Sequence, residues 1–332
     1  MNKQKKYLAT IALQTSILLF SSIASAETVK VGVILPLTGA FARYGSKIQE
    51  AISAFNDPNI TFIFEDEGCD PKTAVSAYKK LTDFDKVSIF LGPWCGSPQS
   101  AIAPLIKSKN QIALLGSSAP EEVFVSSGSR MYSTQHSIEA ESTFLAQRLN
   151  ELDVSSVITI FKENAFSRAH EAAFIKSFKG KILKTIAYTS DDVSELKDIA
   201  LKVKQLQPAA LYVPDAFPLL SGLVKELKAI GVGDKKIYSV YSAQSDDILK
   251  ILKNSDEALI YSYPDIDNQE ALQYFPSLAA KIILDAVKKC ADRIDCVKEE
   301  ISRANTFDRH GVLAGKITLK TIKAGKFVRW AE

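Results

Sequence analysis

Short apolar runs alternate with amphipathic stretches along the chain from Val29 onward. Apolar runs bounded by Gly, Pro or Asp read as strands buried on both faces, and stretches with apolar residues at helical spacing read as helices. The first series predicts strands over Val29–Leu37, Ile60–Phe64, Val87–Leu91 and Gln111–Leu115. Its helices fall over Arg43–Phe55, after Pro71 and from near Pro98. A helix over Ser137–Leu152 opens a second series with strands Val157–Phe161, Ile182–Tyr188, Ala209–Val213, Lys236–Val240 and Ala258–Tyr261. Helices of that series begin near Ala165, Ser194, Pro218 and Asp246. A long helix over Glu270–Cys290, a short one over Cys296–Ala304, and two β-like runs, Ala314–Leu319 and Lys326–Trp330, complete the pattern.

Four strand–helix units followed by about four more predict an α/β fold of two lobes, each a mostly parallel sheet with helices on both faces. The architecture repeats, whereas the sequence does not, and no long uniform linker separates the halves. Lobes joined by several short crossovers fit this better than beads on a string. The expected division is residues 27–136 plus about 266–312 for one lobe, and 137–265 plus about 313–332 for the other. Open parallel sheets bind ligands beyond the carboxyl ends of their strands. Two such ends facing each other make a cleft, so the loops after the strands are the places to look for function.

The N-terminus changes the picture of compartment and charge. Lys3, Lys5 and Lys6 precede an apolar stretch over Tyr7–Phe20, and small residues follow up to Ala26. This is the layout of a secretory signal cleaved after Ala26, and it predicts a periplasmic protein. The apolar run is short for a spanning helix, which needs ~20 residues. Without residues 1–26 the chain has 38 basic and 38 acidic side chains in 306 residues. A net charge near zero gives no general attraction to nucleic acid or anionic membrane. Four cysteines in an exported chain read as disulfides. A bridge between Cys69 and Cys95 would stabilise by roughly 3 kcal/mol in the chain-entropy model. Zinc is the rival reading, but no Cys-x-x-Cys spacing occurs and the three His are scattered, so no metal is expected. Cys290 and Cys296 cannot pair along one unbroken helix; a bridge there requires a break near Asp292 to Asp295.

The post-strand loops read Thr38-Gly39-Ala40-Phe41-Ala42-Arg43-Tyr44-Gly45, Asp66-Glu67-Gly68-Cys69-Asp70-Pro71, Gly92-Pro93-Trp94-Cys95-Gly96-Ser97-Pro98 and Gly116-Ser117-Ser118-Ala119-Pro120. The last two are hydroxyl-bearing turns that open helices. They aim free backbone N–H groups and a Ser hydroxyl outward, which suits a carboxylate. The alternative is that Ser97 and Ser118 cap their own helices. Phe41, Tyr44, Trp94, Phe166, Phe217 and Tyr241 place aromatic rings in these and the second-lobe loops. Together they predict a cleft with an aromatic wall and a polar end.

These loops resemble the branched-chain amino-acid-binding family of periplasmic solute receptors of ABC importers, which have the two-lobed type I fold. The resemblance rests on the Thr38-Gly39 turn with Tyr44-Gly45, on Asp66-x-x-Cys69-Asp70-Pro71, on Gly92-x-x-Cys95, and on Ser118-Ala119-Pro120-Glu121. Order and spacing match over roughly residues 29–122; beyond that the likeness is one of element order, to about residue 320. It implies a Cys69–Cys95 bridge, a ligand-carboxylate site at Gly96 or Ser97 and at Ser118, and a carbonyl acceptor for a ligand ammonium at Gly116. The ligand-binding set read from loops and resemblance together is Tyr44, Trp94, Gly96, Ser97, Gly116, Ser117, Ser118, Phe166, Phe217 and Tyr241. Two departures stand out. The second-lobe position where the family places an acid for the ammonium falls at about Tyr241, with Asp246 and Asp247 close by but out of register, and the crossover near His136-Ser137 lacks the acid often found there. An ammonium buried without a carboxylate is poorly paired.

No catalytic signature accompanies these loops. The chain lacks a Gly-x-Ser-x-Gly elbow and a phosphate-binding Gly-x4-Gly-Lys loop, and Gly231-Val232-Gly233 is a helix stop. His136, His170 and His310 neighbour no nucleophile in sequence. The expected protein is therefore not an enzyme and needs no cofactor. It is a monomer that captures a small amino-acid-like or aromatic carboxylate and hands it to a membrane permease. A sensing or protein-interaction module of the envelope would carry the same features.

Overall fold

The computed structural model describes residues 28–189, 193–215, 219–266, 269–304, 307–308, 310–313 and 315–331. The expected signal segment and Phe217 lie outside them.

The first sheet contains β1 (Val29–Leu35), β2 (Ile60–Asp66), β3 (Ile89–Leu91), β4 (Ile112–Leu115) and β5 (Met131–Ser133), in the order β2-β1-β3-β4-β5 and all parallel. Its crossovers are α1 (Ala42–Ser53), α2 (Pro71–Asp83), α3 (Gly96–Ser108) and α4 (Glu121–Ser126). Side-chain alternation along β1 decides which helix covers which face. Val31, Val33 and Leu35 pack towards Ile48 and Ile52 of α1, whereas Ile34 packs with Tyr78, Leu81, Ile102 and Ile106 of α2 and α3.

The chain crosses into the second lobe through α5 (Ile138–Glu151). There β6 (Ser156–Lys162), β7 (Lys181–Tyr188), β8 (Ala210–Tyr212), β9 (Lys236–Ser239) and β10 (Leu259–Pro264) run parallel. Between them lie α6 (Ala165–Ser177), α7 (Val193–Leu206), α8 (Leu219–Ala229) and α9 (Asp246–Leu252). β11 (Ile317–Lys323) and β12 (Lys326–Arg329) add antiparallel to β10, giving the order β12-β11-β10-β9-β8-β6-β7. Between β10 and β11 the chain returns to the first lobe. α10 (Ala271–Cys290) and α11 (Ile294–Ala304) bury Ala279, Ile283, Val287, Val297 and Ile301 against the face that holds Val31 and Ile112.

Several predicted boundaries shift, for local reasons. β1 stops at Leu35 because Pro36 has no N–H to donate. α3 begins at Gly96, and β11 starts at Ile317 and runs on to Lys323. The fifth strand and α4 escape the pattern because three and six residues are too few to show a period. β10 continues through Tyr263 and Pro264. Helix starts are ordinary caps: Asp70 accepts from Thr73 N at 2.8 Å, Asn164 from Ser167 N at 2.8 Å, and Ser137 from Ala140 N at 3.1 Å.

Both cysteine pairs are bridged. Cys69–Cys95 spans a Cα separation of 5.3 Å and ties the loop after β2 to the loop after β3. Cys290–Cys296 spans 5.6 Å, made possible by a break between α10 and α11, where Ala291 takes a left-handed φ of 53°. One glycine is demanded by packing at the end of β1. A Cβ on Gly45 would lie 2.1 Å from the Pro36 carbonyl oxygen, so α1 can approach the first loop only there.

Candidate functional site

The carboxyl ends of the two sheets face each other across a cavity of about 230 Å³, small beside the ~300 Å³ and more of usual ligand pockets. Its first-lobe wall is Phe41, Tyr44, Trp94 and Gly116; Gln135 comes from the crossover, and Tyr241, Gln244, Leu249, Tyr263 and Phe327 from the second lobe. Tyr44 and Trp94 stack at 6.2 Å between centroids with Phe41 tilted against both, an apolar surface suited to a flat or branched body.

The loops carrying this wall are fixed from behind. Asp66 accepts from Leu37 N at 2.8 Å, Thr38 N at 3.2 Å, Thr38 Oγ1 at 2.5 Å and Gly68 N at 2.9 Å. Burial opposes its charge, yet these bonds, led by that from Thr38, hold its carboxyl below the usual range. Glu67 is wholly buried and accepts from Trp94 N at 3.2 Å and Cys95 N at 2.8 Å. Burial pushes its carboxyl well above the usual range despite those two bonds. Glu67 also lies with Cys69 and Cys95 in the one metal-like grouping among the described residues, but both sulfurs are consumed in the disulfide. Gly116 is required where it stands, since a Cβ there would sit 2.5 Å from Pro276 Cα of α10.

The sequence-predicted residues divide into three groups. Tyr44, Trp94, Gly116 and Tyr241 line the cavity. Gly96, Ser97, Ser117, Ser118 and Phe166 do not line it. A Cβ on Gly96 would lie 3.2 Å from Phe166 Cβ and 3.3 Å from Phe166 N, so the start of α6 packs against the N-terminus of α3. The Ser117 hydroxyl is used inside the first lobe, donating to Trp94 O at 2.9 Å and accepting from Gln99 Nε2 at 3.0 Å. Ser118 reaches across the cleft to Tyr241 OH at 3.4 Å. Neither Ser97 nor Ser118 is a helix cap: the caps of α3 and α4 are Cys95 and Pro120. Phe217 lies outside the described residues.

Charges at the opening come from both lobes. Arg43 Nη2 meets Asp247 Oδ2 at 2.5 Å, a direct ion pair between α1 and α9. Lys47, Asp246 and Glu270, all exposed, share this rim. Sequence reasoning missed this pair because it is long-range and flanked by ordinary surface charges.

A second missed feature lies behind the cavity. Glu141, fully buried on α5, accepts from Tyr241 N at 2.9 Å and Ser262 Oγ at 2.6 Å through Oε1. Its Oε2 faces His136 Nε2 at 3.5 Å and His170 Nε2 at 3.8 Å. Burial raises its carboxyl, but His136 foremost, then the neighbouring His170 and the Ser262 bond, outweigh it and bring the group below the usual range. His170, also fully buried, has its Nδ1 2.7 Å from Ser142 Oγ and its ring 4.5 Å from the centroid of Phe166. Burial lowers its pKa to about 4, against the attraction of Glu141. A signal for Glu141 was present: it falls at the i+3 position from Ile138 on the apolar face that continues through Leu145 and Leu149. An acid on that face cannot be solvated.

Comparisons agree with this architecture. The family model described as periplasmic binding protein matches residues 28–321. The leucine-, isoleucine-, valine-, threonine- and alanine-binding protein of Pseudomonas aeruginosa is 21% identical, over 93% of this chain and 91% of that protein. The branched-chain amino acid transporter substrate-binding protein of Streptococcus pneumoniae, solved with isoleucine, superposes with a TM-score of 0.79 at 15% identity, over 91% of this chain and all of the other. A solute-binding protein of an ABC transporter from Rhodopseudomonas palustris, solved with 4-hydroxybenzoate, gives a TM-score of 0.77 at 17% identity, over 92% and 96%.

Proposed function

Because the chain belongs to the periplasmic binding protein family, we propose that it captures a small carboxylate, amino-acid-like or aromatic, between its lobes and presents it to the permease of an ABC importer. The observation that carries this reading is the cavity itself. It is small, walled by Tyr44 and Trp94 from one lobe and by Tyr241 and Tyr263 from the other. A molecule seated there touches both lobes at once, so it stabilises the closed shape in proportion to its extra contacts in that shape. The permease would recognise closure, and the chain would act in the periplasm as a monomeric binding component, without chemistry of its own. The lobe division at about residues 136, 266 and 312 belongs to the same proposal, with the crossovers acting as hinges.

The test is thermal unfolding against a panel of amino acids, benzoates and small peptides. A ligand at about 100 times its dissociation constant adds roughly 2.7 kcal/mol and raises the midpoint by several degrees. Trp94→Ala is expected to weaken the responding acid by about tenfold through loss of the stacked wall. A panel without any response would overturn capture in favour of a protein-interaction module.

The rim ion pair predicts a smaller kinetic effect. Arg43 keeps roughly half of its side-chain surface exposed, so its pairing with Asp247 is worth only ~0.2–1 kcal/mol. Asp247→Asn is expected to speed ligand release by about two- to fourfold at low salt, and the difference should vanish in high salt. Stopped-flow release of the responding acid measures it; equal rates for both proteins at low salt would remove the pair from the closure mechanism.

A further inference from the structure

One hydroxyl of the cavity wall has a proton without an acceptor among the described residues. Tyr263, 2% exposed, lines the cavity from the end of β10. Its oxygen accepts from Ala271 N, in the first turn of α10, at 2.7 Å and from Gln244 Nε2 at 3.2 Å. The orientation of the Gln244 amide is not free. Its Oε1 receives Lys320 Nζ at 3.4 Å and Tyr261 OH at 2.9 Å, and an ammonium can only donate. Gln244 Nε2 must therefore point at Tyr263. Two N–H groups occupy both lone pairs of the Tyr263 oxygen, and its own proton has no acceptor among the described residues.

The surroundings sharpen that donor. Lys320 Nζ stands 3.8 Å from the centre of the Tyr263 ring. Nearby, Asp265 is paired with Arg329. The amino end of α10, whose amides carry partial positive charge, abuts the hydroxyl oxygen. Burial pushes the Tyr263 phenol up to about 12, so the proton stays in place at neutral pH. Meanwhile two first-lobe positions implied for a carboxylate meet second-lobe groups: Gly96 packs against Phe166, and the Ser118 hydroxyl lies 3.4 Å from Tyr241 OH.

We infer that Tyr263, backed by Gln244 and Lys320, receives the ligand's carboxylate in the second lobe, and that Ser118 does not. This rests on the capture reading above and fixes its orientation: the carboxylate points at β10 and the apolar body lies on Tyr44 and Trp94. A ligand entering this way needs no ammonium partner at the Gln244 loop, which suits amine-free acids.

Titration calorimetry with benzoate and leucine, each compared with its amide, tests the assignment. Tyr263→Phe is expected to weaken the bound acid by about tenfold, as for a lost hydrogen bond to a charged group, and its amide by no more than about threefold. Lys320→Met leaves the hydroxyl in place and is expected to weaken the acid by about threefold; it carries the test if Tyr263→Phe fails to fold. Ser118→Ala should stay within about twofold of wild type. Transfer of the tenfold loss to Ser118→Ala, or equal losses for acid and amide in Tyr263→Phe, overturns the inference while wild-type capture stands. A wild-type protein that binds neither acid nor any other member of the panel overturns the capture reading, and this inference falls with it.

Discussion

Glu141→Leu is expected to cost about 3–5 kcal/mol of folding stability, the range for removing one member of a buried, hydrogen-bonded charged group. The carboxylate is the common partner of four groups from four segments: Tyr241 N after β9, Ser262 on β10, His136 on the crossover and His170 on α6. A leucine there leaves the Tyr241 amide and the Ser262 hydroxyl buried beside a methyl group, and each lost partner costs about 1–3 kcal/mol. Glu141→Gln separates acceptor from charge. It keeps an oxygen for Tyr241 and Ser262 but withdraws the negative charge from the two imidazoles, so a loss of roughly half that of leucine is expected. Urea unfolding at neutral pH measures both. If Glu141→Leu lost less than about 1 kcal/mol, the four contacts would not be holding the carboxylate. The same substitution frees the turn that carries Tyr241 into the cavity, so ligand affinity should fall with stability.

Legibility in the sequence follows the length of each signal. A strand such as Val157–Phe161 announces itself because burial on both faces leaves no charged interruption, whereas Ile182–Tyr188, at the sheet edge, shows through apolar residues on either side of an exposed Lys184-Thr185. β5 and α4, with Met131-Tyr132-Ser133 and a single helical turn and a half, contain too few residues to set a period. The aromatic first-lobe wall was readable because Tyr44 opens α1 just after the Gly39 turn and Trp94 sits in a loop next to a cysteine. Which polar groups face the cavity was not readable. Ser97, Ser117 and Ser118 have the right chemistry and the right loops, but Ser117 is turned inward by Trp94 O and Gln99 within its own lobe, and the Ser118 hydroxyl meets a Tyr241 that arrives from the other lobe. Tyr263 was missed for a related reason. Its value as a donor arises only when Gln244, Lys320 and the start of α10 converge, from positions separated by up to 76 residues. Glu141 is different, because its place on the apolar face of α5 was a local warning that an amphipathic pattern alone supplies.

His170 makes the second large prediction, a pH dependence with a defined sign. Its imidazole is neutral in the folded state down to about pH 4, whereas in the unfolded chain it titrates near 6.5. Between those values the unfolded state binds the extra proton, so stability rises with pH and falls on acidification by about 1.4 kcal/mol per unit. The loss starts near pH 6.5 and is complete below pH 4, reaching about 3 kcal/mol. Glu141 acts in the same direction at lower pH, since its lowered carboxyl loses its contribution as pH falls through the folded value. Glu67 acts oppositely: its raised carboxyl favours the folded protein at low pH and loses that contribution as pH rises above about 4.5. The wild-type curve therefore mixes terms of opposite sign, and the difference from His170→Gln isolates one of them. Between pH 7 and pH 5 the wild type should lose about 2 kcal/mol relative to that variant, measured by urea unfolding at each pH. A packing defect in the variant that does not titrate would offset the two curves without changing their slopes. Parallel curves would mean that His170 is protonated in the folded state alongside Glu141, and that the two form a charged pair rather than a carboxylate beside a neutral His170 ring.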